Sequence, residues 1–213
     1  RPLNADGSFM SPFNPRQGEN FEPVPGFHEG SAWNYTFYVP HDIDGLVKVM
    51  GGKHKFIDKL QTVFDDSLYD PANEPDIAYP YLFSRFKGEE WRTSKIVSEL
   101  LAKHFTAKAD GIPGNDDTGT MSAWVVFSMM GLYPDIPGVP EYTLTTPAFD
   151  KITITLNTDY YDKETLVIEK QISNLDRIKS REKELGYRIS HSDLVNSQIL
   201  HFYISIKQYR DVL

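Results

Sequence analysis

Apolar residues in the first two thirds of the chain recur with the spacing of an amphipathic α-helix. Between residues 42 and 50 they follow the pattern i, i+3, i+4, i+7, with Asp42 as a suitable N-cap and Gly51 as a suitable stop. Further helices are predicted around residues 56–64, from about residue 89 to 105, and from about residue 119 to 130. The apolar positions that define the four helices are Ile43, Leu46, Val47 and Met50; Phe56, Leu60, Val63 and Phe64; Ile96, Val97, Leu100 and Leu101; and Met121, Trp124, Val125 and Phe127.

The fourth predicted helix differs from the others because apolar residues surround it on nearly every side. Met129 and Met130 extend the apolar set to its last turn, and Gly131 followed by Pro134 ends it. Such a helix is typically buried on most sides, as in the inner ring of a helical barrel. We therefore expect most of its surface to be covered.

After Pro134 the period of the apolar residues changes to two, which is typical of half-buried β-strands. Alternating runs, separated by turn residues, occur at residues 142–145, 152–156, 166–168 and 200–206. They predict a small antiparallel sheet or sandwich, with a short helical cap near Ser190. The predicted fold class is α+β, with a helical part at residues 1–140 and a β part at residues 141–213.

The composition is that of an ordinary globular protein and excludes several functions. Of the 213 residues, 40% are hydrophobic and 24% are charged. A net charge of −8 argues against a nucleic-acid partner, because binding to phosphates needs clustered Lys and Arg. No apolar run approaches the ~20 residues that span a bilayer, so no membrane partner is expected. Without Cys, the chain has no disulfide, thiol nucleophile or thiolate metal site.

The start of the chain has the character of an internal segment. Arg1-Pro2-Leu3 lacks an initiator Met and a signal peptide, and residues 1–30 are rich in Pro, Gly and Asn without a clear period. We therefore expect a fragment or processed product whose targeting signal lies upstream.

Three acidic clusters lie in loops or at the starts of helices. The first contains Glu29, which follows Phe27 and His28 and precedes Trp33 by four residues. A carboxyl that is partly dehydrated beside aromatic surface can hold a proton near neutral pH and donate it. Glu29 is thus a candidate general acid, and the competing interpretation is that it only caps a helix beginning near Ser31.

The second cluster is the segment Asp70-Pro-Ala-Asn73-Glu74-Pro75-Asp76. Its carboxylates, amide and backbone carbonyls are hard oxygen ligands of the kind that calcium prefers. The loop length and glycine of an EF-hand are absent. The competing interpretation is a solvated turn before a helix.

The third cluster, Asn115-Asp116-Asp117-Thr118-Gly119, precedes the apolar fourth helix. One of its two acids can cap that helix, favoured by the positive end of the helix dipole. Burying the second would be unfavourable unless it pairs with a cation, a substrate hydroxyl or a catalytic water. Two adjacent acids here therefore favour a functional role.

Other catalytic arrangements are not supported. The chain has no Gly-x-Ser-x-Gly nucleophile elbow and no Gly-rich phosphate loop. His28 and His41 are isolated histidines, which are more often structural or hydrogen-bonding than zinc ligands.

In this order, the three clusters resemble glycoside hydrolase family 92. The matching segments are residues 29–42, 50–53, 73–76, 114–124 and 130–134, with a weaker match at 186–191. The longer ones, Glu-Gly-Ser-Ala-Trp-Asn-Tyr and Gly-Asn-Asp-Asp-Thr-Gly-Thr-Met-Ser-Ala-Trp, are specific, and the resemblance covers most of the chain.

The resemblance implies a calcium-dependent exo-α-mannosidase that releases terminal α-linked mannose with inversion of configuration. Family members combine an N-terminal β-sandwich with an (α/α)6 barrel and a β element after it. Residues 1–140 would form part of the barrel, and the missing sandwich and remaining barrel would be their partners. Mannose-containing glycans, as in N-glycan degradation, would be substrates in the periplasm or outside the cell.

The resemblance assigns roles to individual carboxylates. Glu29 would be the general acid and Asp117 the general base, with Asp116 as a less favoured substitute for Asp117. Asn115 occupies a position that can be acidic in relatives and assist the base. Inversion needs room for a water, so we expect the Glu29 and Asp117 carboxyls to lie roughly 6.5–9.5 Å apart.

The resemblance also implies a calcium site and sugar contacts. Asn73, through its carbonyl, and Glu74 match the calcium-binding turn, where the ion would hold two mannose hydroxyls and favour a flattened ring. Trp33 and His28 are the candidate substrate contacts.

Two alternative functions stay open at this point. The chain can be a catalytically incomplete remnant that only binds sugar or packs, because family members also draw active-site residues from the N-terminal domain. It can also belong to another (α/α)6 glycosidase or phosphorylase with two carboxylates. Chelator-sensitive activity favours the mannosidase, and phosphate dependence favours the phosphorylase.

Overall fold

The computed structural model describes residues 1–18 and 26–170, in two compact units. The first unit is Arg1–Thr145 and the second begins at Thr146. The predicted domain boundary near residue 140 stays a prediction. The predicted strand at 200–206, the helical cap near Ser190 and the motif at 186–191 lie outside the described residues.

The first unit is mainly helical. Its α-helices are α1 (Ala32–Tyr35), α2 (Ile43–Val49), α3 (Lys53–Asp65), α4 (Glu90–His104) and α5 (Thr120–Met130), and a 3₁₀ helix spans Tyr79–Arg85. The four helices predicted from periodicity are therefore confirmed. Asp42 caps α2 as expected, because its Oδ1 accepts a hydrogen bond of 2.8 Å from the Gly45 amide. Within the described ranges, no helix is long and apolar enough to cross a membrane.

The core of the first unit is built around the 3₁₀ helix, which the apolar pattern did not predict. Tyr79, Tyr81 and Phe83 on this helix are each at most 1% exposed. Tyr81 stacks on Tyr133 with ring centroids 4.2 Å apart, and its hydroxyl is hydrogen-bonded to Ser128 of α5. Helices α4 and α5 and the strand that follows α5 therefore pack around the 3₁₀ helix.

Helix α5 is buried on one face only, which corrects the expectation of burial on most sides. Met121, Trp124 and Ser128 are at most 2% exposed, whereas Val126 is 53% exposed. The buried face contacts the core through Trp124, whose indole N–H donates a hydrogen bond of 2.9 Å to the Ile77 carbonyl. The exposed positions of α5 are Ser122, Ala123 and Val126, and no element in the described part of the chain covers them.

The β elements are short antiparallel pairs, which confirms the predicted antiparallel pairing. In the first unit β1 (Leu132–Tyr133) pairs with β2 (Thr143–Leu144), and in the second unit β3 (Lys151–Thr155) pairs with β4 (Thr165–Glu169). Ile152 lies opposite Ile168, and Ile154 lies opposite Leu166, on one half-buried face of the second pair. The alternation of apolar and polar residues therefore sets the register of this hairpin.

Asp135 is a buried acid beside the β1–β2 pair. It is 8% exposed, and one carboxylate oxygen accepts a hydrogen bond of 2.8 Å from the Thr143 hydroxyl. The other oxygen has no partner among the described residues. Burial raises the pKa of Asp135, although the Thr143 hydrogen bond and the charge of Arg85 act in the opposite direction.

The raised pKa of Asp135 predicts a pH-dependent stability. The folded protein keeps this proton over a range in which the unfolded chain, with a pKa near 3.8, has lost it. The contribution of Asp135 to the free energy of unfolding is therefore complete below the pKa of the unfolded chain. It is lost as the pH rises through the pKa that Asp135 has in the folded protein. Replacing Asp135 by Asn removes the ionisable group, so the melting temperature of Asp135→Asn relative to wild type should be higher at pH 8 than at pH 4.

Thermal unfolding of the full-length protein across pH 4–8 measures this difference. Asp58→Asn, on the exposed side of α3, is the matched control and should show a smaller dependence. A difference between wild type and Asp135→Asn that does not change with pH would contradict the prediction.

Candidate active site

The segment before α1 is shaped by a capping box that does not involve Glu29. Ser31 is the N-cap of α1, and its hydroxyl oxygen accepts a hydrogen bond of 3.2 Å from the Trp33 amide. In return, the side-chain oxygen of Asn34 accepts the Ser31 amide at 2.8 Å. The interpretation that Glu29 only caps this helix is therefore wrong, because Ser31 and Asn34 fill that role.

Glu29 lies in a strained turn with its carboxylate partly open to solvent. Its φ of 53° is in the left-handed region, which costs a non-glycine residue about 1–2 kcal/mol. The side chain is 42% exposed and one oxygen lies 3.4 Å from Nε2 of His28, which is itself 85% exposed. The Glu29 carbonyl accepts a hydrogen bond from the side-chain amide of Asn73. Glu29 is thus fixed through its backbone while its carboxylate stays available.

The turn at residues 70–76 packs directly behind Glu29. Asn73 is 6% exposed and Asp76 is fully buried, whereas Glu74 between them is exposed. One oxygen of Asp76 accepts hydrogen bonds from the Asn34 side chain at 2.8 Å and from the Asp70 amide at 2.9 Å. The turn therefore contacts the Glu29 segment both at Glu29 itself and at the helix that follows it.

The loop before α5 approaches the same turn. Gly114 has φ 62°, and a Cβ atom at this position would lie 2.7 Å from Cβ of Ala72. Only glycine permits this approach, because any side chain would collide with the turn. The segment that carries Glu29 and the loop that leads to Asp117, distant in sequence, thus both contact this turn, at Asn73 and at Ala72.

The two adjacent acids of this loop have different surroundings. One oxygen of Asp116 accepts a hydrogen bond of 2.8 Å from the Ser122 amide, in the first turn of α5. Asp117 is exposed, and its carboxylate makes no hydrogen bond or ion pair within the described part of the chain. Asp117 and Thr118 have φ values of 47° and 61°, both left-handed. Asp116 therefore caps the helix, and Asp117 is held in a strained turn with a free carboxylate.

Tyr35 shows that negative charge accumulates in this region. Partial burial raises the pKa of Tyr35, and the charges of Glu29, Asp76 and Glu74 raise it further. Its hydroxyl donates a hydrogen bond to the carbonyl of His28, which stabilises the turn before Glu29. An acidic site of this kind favours a bound cation or a protonated carboxyl.

The two predicted sugar contacts differ in accessibility. Trp33 is half-buried against the core, and the ammonium group of Lys59 lies 5.2 Å from the centroid of its ring. Its indole N–H is buried without a hydrogen-bond partner in the part of the chain that the structure describes. His28 is exposed beside Glu29. Their roles in substrate binding stay predictions.

The Asn73–Glu74 turn presents two oxygen-bearing side chains, and the calcium site predicted there stays a prediction. The Glu74 carboxylate is exposed and unpaired among the described residues, and Asn73 uses its amide nitrogen toward Glu29, which leaves its side-chain oxygen free to bind a metal. Residues 1–18 and 26–170 contain no group of three or more His, Asp or Glu that could hold a metal ion. Since calcium takes 6–8 oxygen ligands, about two would come from this turn and the others from water, substrate or further protein.

Comparison with known proteins identifies the family of this chain. Residues 1–206 match the model of the glycosyl hydrolase family 92 catalytic domain, and the chain therefore belongs to glycoside hydrolase family 92. It is 33% identical over 127 residues to an uncharacterised secreted glycosidase of Arthroderma benhamiae, an alignment that covers 60% of this chain and 16% of that protein.

Two solved structures from Bacteroides thetaiotaomicron are similar over most of the chain. A family 92 α-mannosidase in complex with mannoimidazole is 28% identical with a TM-score of 0.66, covering 73% of this chain and 23% of that one. A family 92 inverting mannosidase is 28% identical with a TM-score of 0.64, covering 78% and 24%. The chain thus spans about a quarter of the length of these solved relatives.

The close approach of Gly114 to Ala72 predicts the effect of adding one methyl group. Gly114→Ala introduces both an unfavourable backbone conformation, of about 1–2 kcal/mol, and a collision with Ala72 that adds about 1–3 kcal/mol. Gly88→Ala is the matched control, because Gly88 has φ 92° but nothing within 4 Å of an added Cβ.

Thermal unfolding and hydrogen exchange of the full-length protein measure the two effects. Gly114→Ala should be less stable than Gly88→Ala and should show faster exchange in the turn at residues 70–76. Equal stability and unchanged exchange would mean that the two loops are not in contact.

Proposed function

We propose that this chain supplies the general acid, the general base and part of the calcium site of an inverting exo-α-mannosidase. The observation that carries the proposal is that the turn at residues 70–76 contacts both other segments, at Glu29 through Asn73 and at Gly114 through Ala72. Family membership makes the reaction a glycoside hydrolysis. The mannosidase and inverting activities named for the similar structures support the narrower assignment.

Glu29 would protonate the departing glycosidic oxygen. Its carboxylate is accessible, while its backbone is held by Asn73. Positioning a proton donor in this way contributes a factor of about 10²–10⁴ to the rate of such reactions.

Asp117 would activate the attacking water on the opposite face of the sugar. Its carboxylate is free, whereas that of Asp116 is occupied by the Ser122 amide. A general base must accept a proton from water, and a carboxylate whose lone pairs already bind a helix N-terminus is a weaker acceptor. The geometry therefore favours Asp117 over Asp116 as the base.

Asn73 and Glu74 would hold the calcium ion. When bound, calcium would supply a positive charge, and the oxygen atoms of sugar hydroxyls can coordinate it. Glu74 would contribute a charged oxygen and Asn73 a neutral one, and the buried side of the same turn keeps both in place. The remaining ligand positions are open to water and to two sugar hydroxyls.

The wider context follows from the family. The helices would form part of an (α/α)6 barrel that further chain completes, and the uncovered apolar face of α5 would pack against it. Mannose-containing glycans, including N-glycans, would be the substrates. The secreted character of the Arthroderma relative supports an exported enzyme, in the periplasm or outside the cell.

The acid and base assignments can be separated by the leaving group of the substrate. In the full-length enzyme, Glu29→Gln should lower kcat on an α-mannobiose by about 100- to 10,000-fold, because the alkoxide leaving group needs protonation. The loss should be much smaller on 2,4-dinitrophenyl α-mannoside, whose phenolate leaves without a proton. Asp117→Asn should lose activity on both substrates, and Asp116→Asn should lose less than about 10-fold.

Steady-state kinetics on the two substrates measure these effects, and NMR identifies the first sugar anomer released. Inversion releases β-mannose from an α-mannoside. Release of α-mannose, or a larger loss for Asp116→Asn than for Asp117→Asn, would contradict the assignment.

The calcium assignment predicts a metal-dependent stability and activity. A chelator should abolish activity, and added calcium should restore it and raise the melting temperature. Glu74→Gln removes the charged ligand, so it should need about 10-fold or more calcium for the same effect. Glu99→Gln, an exposed glutamate on α4, is the charge-matched control. Identical calcium titrations for wild type and Glu74→Gln, read by melting temperature, would exclude Glu74 as a ligand.

A further inference from the structure

Asp76 is an acid for which the proposed reaction has no role. It is fully buried directly beneath the Asn73–Glu74 turn. One of its oxygens accepts two hydrogen bonds, and the other has no partner among the described residues. A buried carboxylate oxygen without a partner is costly, so a side chain of this kind needs a compensating function.

The Asp76 oxygen that accepts hydrogen bonds joins two segments of the chain. It accepts the Asn34 side-chain amide at 2.8 Å and the Asp70 backbone amide at 2.9 Å. The first contact reaches α1, and the second closes the turn on itself.

Asn34 connects Asp76 to the segment that carries Glu29. Because its amide nitrogen faces Asp76, its amide oxygen faces Ser31, where it accepts the backbone amide at 2.8 Å and the hydroxyl at 2.9 Å. Ser31 is two residues from Glu29, with Gly30 between them. A Cβ on Gly30 would lie 3.1 Å from Cβ of Asn34 and 3.2 Å from the side-chain nitrogen of Asn73, so the intervening residue has little space to move.

The turn at residues 70–76 therefore holds Glu29 from both sides along the chain. Asn73 binds the Glu29 carbonyl directly, and Asp76 fixes Ser31 through Asn34. A single hydrogen bond would leave Glu29 free to rotate about its backbone bonds. Both contacts are therefore needed to fix its orientation. The same turn carries Glu74, so it links the positions of the acid and of the metal ligand.

We propose that Asp76 is a positioning residue that orients the general acid Glu29 relative to the Asn73–Glu74 turn, acting through Asn34 and Ser31. This inference rests on the proposed function, because it takes Glu29 as the proton donor. Because Asp76 is fully buried, it would touch neither the substrate nor the reacting atoms. Its removal displaces the acid while Asp117, on a different loop, keeps its place.

The test uses the leaving-group dependence of the full-length enzyme with saturating calcium. Asp76→Ala should lower kcat on an α-mannobiose about 100-fold, with KM changed less than about threefold, because a displacement of about 1 Å is enough for such a loss. On 2,4-dinitrophenyl α-mannoside kcat should fall less than about fivefold, since that leaving group needs no proton. A merely structural defect would lower both rates equally.

Asp76→Asn is the conservative comparison. Its side-chain oxygen can still accept both N–H groups, so it should lose clearly less activity on the mannobiose than Asp76→Ala. If Asp76→Ala does not fold, Ser31→Ala replaces it, because this change removes only the hydroxyl that donates to Asn34 and serves as the cap of α1. Ser31→Ala should cause a smaller loss, about five- to tenfold, again confined to the mannobiose.

The outcomes separate this inference from the proposed function. A selective loss in both Glu29→Gln and Asp76→Ala supports both. A selective loss in Glu29→Gln alone, with Asp76→Ala unchanged or equally impaired on the two substrates, overturns the role of Asp76 and leaves the acid assignment intact. Without a selective loss in Glu29→Gln, Glu29 is not the acid and the positioning role fails with it.

Discussion

The hydrogen bond from the Asn73 side chain to the Glu29 carbonyl joins segments that are 44 residues apart in sequence. It does so at a turn whose inner side is closed by Asp76 and whose outer side carries Glu74. On its other flank the turn contacts Gly114, at the start of the loop that presents Asp117. The turn at residues 70–76 therefore contacts both the segment that carries Glu29 and the loop that leads to Asp117.

Two residues to which we assign chemistry, Glu29 and Asp117, have a strained backbone. In the described part of the chain, four non-glycine residues have a left-handed φ, and they are Glu29, Ser67, Asp117 and Thr118. Each such conformation costs about 1–2 kcal/mol, and it persists only where the surroundings hold it. For Glu29 those surroundings are Asn73 and the capping box of α1. For Asp117 they are the α5 N-terminus, where the Thr120 amide and hydroxyl donate to its carbonyl at 3.2 and 2.7 Å.

The helices hold these strained segments in place through hydrogen bonds and ring contacts. Trp124 of α5 donates to the Ile77 carbonyl, one residue beyond Asp76, and stacks on Phe105 with centroids 5.4 Å apart. Tyr79, at the start of the 3₁₀ helix, donates through its hydroxyl to the Asn34 carbonyl at 2.6 Å. Helix α5, which follows the loop with Asp117, and the segment that follows Glu29 are thus both hydrogen-bonded to the chain that leaves the turn.

The features that could be predicted from the sequence are those that depend on local periodicity and local chemistry. The four helices and the alternation in β3 and β4 follow from spacings of a few residues, because the same backbone geometry that forms an element also sets which side chains share a face. The motifs that assign the family are local as well. Tertiary structure decided the rest. The 3₁₀ helix is buried by its neighbours although its own pattern did not predict it, and α5 is exposed at Ser122, Ala123 and Val126 although apolar residues surround it. The capping role of Asp116, the freedom of Asp117 and the position of Asp76 beneath the turn depend on hydrogen bonds whose partners lie elsewhere in the fold. A sequence shows which side chains can accept a proton or a metal, but only contacts between distant segments fix which of them are already occupied.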